Sequence, residues 1–193
     1  LSPAGSLEKL KYAVIYGSDA VYLGMKSFGM RAAADNFSPE DLAEGLKFAH
    51  SRNVKVYVTL NTMPRDFDFN RLAGTLDEIS GLPVDAFIVA DIGVAELIKQ
   101  KRPDAVLHIS TQVSTMNSAS CNFWYKYGAK RVVLARELSL EEIKNIRKNI
   151  PAELELEAFV HGAMCVAYSG RCLMSNYYTS RDANNGSCTQ PCR

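Results

Sequence analysis

Residues 38–61 read SPEDLAEGLKFAHSRNVKVYVTLN and contain a helix followed at once by a strand. Ser38 and Asp41 have the spacing of a capping box, in which each side chain bonds the backbone of the other residue. Apolar residues then recur on one face as far as Ala49, as they do in an amphipathic helix. The closing run KVYVTLN is apolar without clean alternation, which is typical of a parallel strand covered on both faces. The stretch therefore predicts one helix-to-strand unit.

The same unit recurs along the chain. Strands are predicted at Ala20–Gly24, Lys55–Asn61, Ala86–Asp91, Ala105–Ser110, Arg131–Ala135 and Leu154–Phe159. Helices are predicted at Leu7–Tyr16, after Ser38, at Arg71–Ser80, Gly93–Lys101 and Asn117–Tyr127, and after Ser139. Units of this kind build either a doubly wound open sheet or a TIM-type barrel. No G-x-G-x-x-G follows a predicted strand, so the open sheet lacks its dinucleotide-binding fingerprint and the barrel is favoured.

The predicted fold class is α/β, a TIM-like barrel that is incomplete in this chain. A full barrel needs eight units and about 250 residues, whereas the chain has 193 residues and six clear strands. We expect one barrel domain over residues 1–193, ending in a cysteine-rich segment over residues 161–193, which we call the cysteine segment. A further C-terminal domain is expected beyond residue 193.

Composition excludes several classes of protein. Hydrophobic residues make up 47% of the chain, enough for a sizeable core, and the chain is not disordered. Lys plus Arg number 22 against 21 Asp plus Glu, so the net charge of +1 gives no sign of a basic nucleic-acid footprint, and it leaves room for a local basic patch. The apolar runs are too short to span a membrane. No basic-then-apolar leader opens the sequence, and we expect a cytoplasmic protein without membrane partners.

The cysteine segment contains four cysteines in the pattern C-x6-C-x15-C-x3-C: Cys165, Cys172, Cys188 and Cys192. Thiolates that cluster at one end of a chain with its own core indicate a metal site, in which they ligate either zinc or an iron–sulfur cluster. Zinc sites usually draw on tighter pairs, and only the last two cysteines have that spacing. Disulfides and plain thiols are the remaining interpretations.

Polar residues follow several predicted strands, where the chemistry of a barrel lies. They are Asn61, Thr62, Asp91, Ser110, Gln112, Arg136, Glu137, Glu157 and His161. Each has a structural alternative: Asp91 as a helix cap, for example, or Arg136 with Glu137 as a surface pair. Arg31 lies in a long connection after the first predicted strand. Its guanidinium is suited to bind a carboxylate or phosphate with two hydrogen bonds. The alternative is an exposed arginine without such a ligand. His108 lies inside a strand, where packing is expected.

Motifs of several hydrolase classes are absent from the sequence. There is no G-x-S-x-G elbow, no H-E-x-x-H helix and no P-loop. His161 and Cys165 are close enough in sequence to act as the base and nucleophile of a cysteine protease, but three further cysteines fit metal ligation better.

The cysteine segment and the strand before it carry a resemblance to a known family. Residues 157–175 read EAFVHGAMCVAYSGRCLMS, and residues 181–193 read RDANNGSCTQPCR. This text closely resembles the signature of peptidase family U32, the collagenase-like peptidases. Near the start of the chain, SPAGS at residues 2–6 and DAVYLG at residues 19–24 are similar to the opening of the same family. The resemblance covers essentially the whole chain.

The resemblance implies both a fold and a function. Members of the family are similar to TIM barrels, and their better-understood branches take part in hydroxylating tRNA, ribosomal RNA or ubiquinone precursors. The cysteine segment looks closest to the branch needed for prephenate-dependent 5-hydroxylation of wobble uridine in tRNA. The resemblance further implies a 4Fe-4S cluster held by Cys165, Cys172, and Cys188 or Cys192, with zinc as the alternative. Some relatives take a ligand from later in the chain.

We therefore expect an RNA-modifying enzyme that uses tRNA and prephenate, with its substrate bound at the ends of the strands. The candidate site residues are Arg31, Asn61, Gln112, Arg136, Glu157 and His161. Two other functions remain open. The first is a collagenase-like peptidase, as the family name states. The second is a non-catalytic binding module in which a metal only pins the cysteine segment to the barrel.

Overall fold

The computed structural model describes residues 1–26, 35–162 and 164–192, and the described residues contain seven strands and seven α-helices. The strands are β1 Ser2–Pro3, β2 Ala20–Gly24, β3 Lys55–Leu60, β4 Ala86–Val89, β5 Leu107–Ile109, β6 Ala129–Val133 and β7 Glu155–Glu157. The helices are α1 Leu7–Ile15, α2 Pro39–His50, α3 Phe69–Glu78, α4 Ile92–Lys101, α5 Ser118–Tyr127, α6 Leu140–Lys148 and α7 Met174–Thr179. No helix in these ranges is long and apolar enough to cross a membrane.

The seven strands form one parallel sheet in the order of the sequence, with each strand bonded to the next. Helices lie in the connections from β1 to β7, as parallel pairing of successive strands requires. The sheet curves as a half-barrel, so the predicted fold class, an incomplete TIM-like α/β barrel, is confirmed. The carboxyl ends of all seven strands therefore lie at the same end of the half-barrel. We call the loops that follow the strands at this end the rim.

The two faces of the sheet differ in their chemistry. Val56, Val58 and their equivalents on the neighbouring strands pack with the helices in the main hydrophobic core. Tyr57 and Ile88 point the other way and form a smaller cluster on the inner face of the half-barrel. This division follows from the alternation of side chains along a strand.

Local sequence explains where the helices begin and end. Ser38 and Asp41 make the predicted capping box at the start of α2, and Ser139 makes the same box at the start of α6. Gly128 ends α5 with φ +104°, a left-handed conformation that glycine adopts without strain, and β6 follows directly.

The predicted strands are all present, and the differences lie at their ends. The structure adds β1, two residues long and containing Pro3, which is too short to be recognised from sequence. Helix α7 is also new; it has six residues and lies between cysteines. The predicted strand at Ala105–Ser110 is shorter, because only Leu107–Ile109 pair with both neighbouring strands.

Candidate functional site

The ends of β3 and β5 bring two candidate residues close to each other. Asn61 directly follows β3, and its Nδ2 donates to Ser110 Oγ over 3.4 Å. Ser110 follows β5 and caps a short 3-10 turn by accepting from the backbone N–H of Gln112, also at 3.4 Å. Gln112 is only 5% exposed. The rim therefore contains a compact group of amide and hydroxyl side chains.

The cysteine segment docks on this part of the rim through Ser169. Arg136 Nη2, from the loop after β6, donates to Ser169 Oγ over 2.7 Å. Ser114 Oγ, from the loop after β5, donates to the backbone carbonyl of Ser169 over 3.4 Å. The Arg136 guanidinium also lies 5.8 Å from the ring centroid of Phe159. One residue of the cysteine segment is thus held by two successive loops of the barrel.

Gly170, the next residue, lies directly against Gln112. A methyl group at Gly170 would be 3.3 Å from both Gln112 Cβ and the Gln112 carbonyl oxygen, and φ is +74°. Both the close approach and the backbone conformation favour glycine. The glycine of the S-G-R-C stretch is therefore needed where the cysteine segment covers the rim.

The far end of the cysteine segment reaches a second part of the rim. The backbone N–H of Met63, in the loop after β3, donates to the carbonyl of Asn184 over 3.3 Å. In the same loop, Arg65 lies 3.9 Å from Asp182. The segment therefore extends across the rim from the loops after β5 and β6 to the loop after β3.

The four cysteines of this segment are free thiols. Cys165, Cys188 and Cys192 are exposed, and Cys172 is half-buried. Cys121 differs: it is fully buried in α5, and burial raises the pKa of its thiol to about 11. A metal or iron–sulfur centre would accordingly have to use the thiols of the segment.

These thiols suit an iron–sulfur cluster or zinc in their donor chemistry but not in their arrangement. Within residues 1–26, 35–162 and 164–192, no three His, Cys, Asp or Glu side chains are grouped so that they could hold a metal ion. The donor set is present without being assembled, and no catalytic step can be derived through such a centre from this arrangement.

Ser175 connects the chain around Cys188 to helix α7. It is fully buried, its Oγ accepts from the backbone N–H of Thr189 over 3.0 Å, and the Oγ lies 3.7 Å from Cys188 Sγ. The sequence identified Ser175 only as the end of a family signature. The structure shows that it joins α7 to the chain around Cys188.

For the other candidates, no contact with Asn61 or Gln112 is found among the described residues. Glu157, at the end of β7, accepts from Arg131 Nη1 over 3.0 Å on the inner face. His161 is exposed. Asp91 caps α4 by accepting from Val94 N–H over 3.0 Å, which is the structural alternative for that residue. Arg31 lies outside the described residues.

His108 is packed inside the half-barrel rather than placed on the rim. It is 4% exposed, and its ring makes an edge contact with Tyr57 at a centroid distance of 4.7 Å. Burial, together with the nearby positive charge of Arg131, lowers its pKa to about 4. The imidazole is therefore neutral at pH 7.

A parallel βα half-barrel with polar side chains and a docked cysteine segment at the ends of its strands defines a TIM-like protein whose site lies on the rim. Within that class, the chain belongs to Peptidase family U32, whose family model matches residues 5–193. The family resemblance seen in the sequence is thus confirmed.

Curated relatives align with the whole chain. The tRNA hydroxylation protein P1 of Bacillus subtilis is 45% identical over 193 residues, covering 100% of this chain and 45% of that protein. The tRNA hydroxylation protein P of Escherichia coli is 42% identical over 193 residues, with coverage of 100% and 42%. An uncharacterized protease of Methanocaldococcus jannaschii is 48% identical over 196 residues, with coverage of 100% and 47%. The chain spans about half the length of these relatives.

A solved structure shows the same fold. The U32 peptidase Mk0906 superimposes with a TM-score of 0.65 at 19% identity, over 80% of this chain and 66% of that one. At this identity the likeness describes the fold alone.

Proposed function

We propose that this protein takes part in the hydroxylation of RNA, and specifically in prephenate-dependent 5-hydroxylation of the wobble uridine of tRNA. The observation that carries the proposal is 45% and 42% identity to two tRNA hydroxylation proteins over 193 residues. That alignment includes both the rim and the cysteine segment docked on it. Function resides in such sites rather than in the barrel fold itself.

In this proposal the target base binds on the rim. Asn61, Gln112 and Arg136 surround the place where the cysteine segment docks. A base in RNA must leave its stack to be modified, and a polar site at the ends of the strands is suited to receive it. Arg31, which lies outside the described residues, is a further candidate, as are Glu157 and His161.

We also propose that Cys165, Cys172, Cys188 and Cys192 bind a 4Fe-4S cluster, with zinc as the alternative metal. Such a cluster supplies one-electron transfer when it is bound. Three of the four cysteines are exposed, and the segment has few buried residues, so it can rearrange without disturbing the barrel core.

The proposed activity is tested in a bacterial strain that lacks its own tRNA hydroxylation protein. The gene for this protein is introduced, and the nucleosides of purified tRNA are measured by mass spectrometry. We expect 5-hydroxyuridine to return, and to depend on a functional supply of prephenate. A strain that expresses the folded protein and still lacks the nucleoside would contradict the proposal.

The cluster is tested by anaerobic purification. The protein should be brown, with absorbance near ~400 nm, as Cys-ligated iron–sulfur centres are. Changing Cys165 or Cys172 to Ser should bleach it. Cys121→Ala is the matched control, because Cys121 is buried in α5, and should leave the colour unchanged. Colourless protein with stoichiometric zinc would show that the alternative metal is correct.

A collagenase-like peptidase is the second candidate, because one relative, at 48% identity, is named a protease. In the described residues, however, the one hydrogen-bonded histidine is His50, and its partner is Asp85 rather than a serine or cysteine. Cleavage of gelatin by the pure protein, lost when Cys165 is changed to Ser, would favour the peptidase.

A further inference from the structure

Three buried side-chain atoms near the rim lack a hydrogen-bond partner within the described ranges: Asn61 Oδ1, Gln112 Oε1 and Thr115 Oγ1. Gln112 and Thr115 are 5% and 2% exposed. Buried polar atoms without partners are costly and rare in native proteins, so several of them near one group of loops require an explanation. They lie at the end of the barrel where ligands bind, so they are available to a ligand that displaces the water they would otherwise bind.

The chemistry of these atoms restricts the ligand. Asn61 Nδ2 is already directed at Ser110 Oγ over 3.4 Å, which leaves Oδ1 as an acceptor. Gln112 Oε1 is an acceptor as well. Two uncharged carbonyl oxygens repel a carboxylate or phosphate and attract an N–H group. The ligand group that fits here is therefore an N–H donor.

We propose that Asn61 and Gln112 form a subsite that accepts the N3–H hydrogen bond of a uracil base. This inference rests on the proposed function, in which the substrate is a uridine. With N1 joined to the ribose, N3 carries the one N–H of the uracil ring. Recognition of a flipped base through its pairing edge is the mode that enzymes acting on nucleobases use.

The cysteine segment closes this subsite. Gly170 lies against Gln112, and Ser169 is held by Arg136 over 2.7 Å and by Ser114 over 3.4 Å. Because Gln112 is covered, a base can reach it only if the segment moves away from it, and in this proposal the segment then returns over the bound base. The subsite is then shielded from water, which strengthens the hydrogen bond to the base.

The test compares two RNA stem-loops that differ by one methyl group. One has uridine at the first anticodon position and the other has N3-methyluridine there, which has no N3–H. Their binding to the full chain is measured by fluorescence anisotropy. We expect methylation to weaken binding by about tenfold, the usual effect of losing one such hydrogen bond.

Variants separate the hydrogen bond from the bulk of the methyl group. In Gln112→Ala the acceptor is gone and space is gained, so the two RNAs should bind within about twofold of each other. Asn61→Ala, at a half-buried position, is the second variant if Gln112→Ala does not fold. Lys144→Ala, on the exposed face of α6, is the matched control and should keep the full difference.

Two outcomes overturn the subsite: equal binding of both RNAs by the unchanged protein, or a preference that persists in both rim variants. Failure to bind either RNA overturns it as well. None of these results depends on whether the gene restores 5-hydroxyuridine in the deletion strain. Loss of that restoration refutes the proposed function, whereas restoration combined with equal binding refutes the subsite alone.

Discussion

His108 shows how a single residue can link the stability of the fold to pH. A register shift between Leu107 and His108 places His108 opposite Arg131. The imidazole is 4% exposed and makes an edge contact with the ring of Tyr57, and the Arg131 guanidinium lies 5.5 Å from the centroid of the same ring. Burial and the Arg131 charge together favour the neutral form, so the folded protein binds a proton here less readily than the unfolded chain.

Acid should therefore destabilise the protein through this residue. The folded pKa of about 4 lies below the ordinary value of 6.5. Between those values the unfolded state takes up the proton and the folded state does not, so the free energy of unfolding falls as the pH decreases from 6.5 towards 4. The full loss is about 3 kcal/mol. Urea unfolding at pH 7 and pH 4.5 measures most of this loss, because the folded state begins to bind the proton only near pH 4.

The variant His108→Phe should show a smaller loss between the two pH values, because it has no proton to take up. His161→Gln is the matched control, since His161 is exposed, and should behave like the unchanged protein. An identical pH dependence in His108→Phe and the unchanged protein would mean that other groups are responsible.

At the rim, a contact between two residues could be predicted from the sequence only where both residues directly follow a strand. Asn61 and Ser110 follow β3 and β5, and their contact is what parallel strands produce. The contact between Arg136 and Ser169 was not predictable, because Ser169 belongs to a segment without periodicity. The glycine at 170 carried a signal in the family signature, but its partner Gln112 did not.

Among the elements, the helices that were predicted best are those whose first turn is specified by side chains. At the start of α6, Ser139 Oγ accepts from Glu142 N–H over 3.3 Å, and Glu142 Oε2 accepts from Ser139 N–H over 2.8 Å. Two backbone groups that the helix leaves unbonded are thus satisfied within four residues.

Removing this cap should destabilise α6 measurably. Ser139→Ala leaves the first turn without its acceptor, and we expect a loss of about 1 kcal/mol, which lowers Tm by roughly 2–4 °C in a chain of this size. Ser139→Asp is the control, because aspartate and serine are about equally effective as helix caps. Equal Tm values for Ser139→Ala and Ser139→Asp would show that the cap contributes nothing.

The elements that sequence missed are those with little periodicity to detect. Strand β2 was predicted with the residues it has in the structure, since five apolar-rich residues follow a glycine turn. Strand β1 has two residues and α7 has six. Their formation depends on neighbours: β1 pairs with β2, and the buried Ser175 fixes α7 to the chain near Cys188.

On the scale of the whole molecule, the inner face of the half-barrel carries charge where a closed barrel usually packs apolar layers. Arg131 Nε donates to Glu155 over 2.7 Å, and Nη1 donates to Glu157 over 3.0 Å. The Arg131 side chain is 20% exposed, and the pairing lowers the pKa of Glu155. One arginine thus connects β6 to the last strand, from which the cysteine segment extends.

Loss of Arg131 should destabilise β7 and the cysteine segment that follows it. Arg131→Met leaves two carboxylates on one short strand without a counter-charge, and we expect a destabilisation of about 2 kcal/mol. Limited proteolysis followed by mass spectrometry should locate the first cuts after residue 154. Lys144→Met is the control, because that lysine forms an exposed pair at 3.8 Å, for which a change within about 0.5 kcal/mol is expected. First cuts inside β2 to β5 would contradict this role.

The contrast between Cys121 and the other four cysteines gives the molecule an internal standard. Alkylating reagents react with thiolates. The Cys121 thiol is fully buried and has a pKa of about 11, so almost no thiolate forms there at neutral pH. The folded protein without metal should consume four equivalents of such a reagent, and the denatured protein without metal should consume five. Any shortfall from four then counts directly how many sulfurs are occupied.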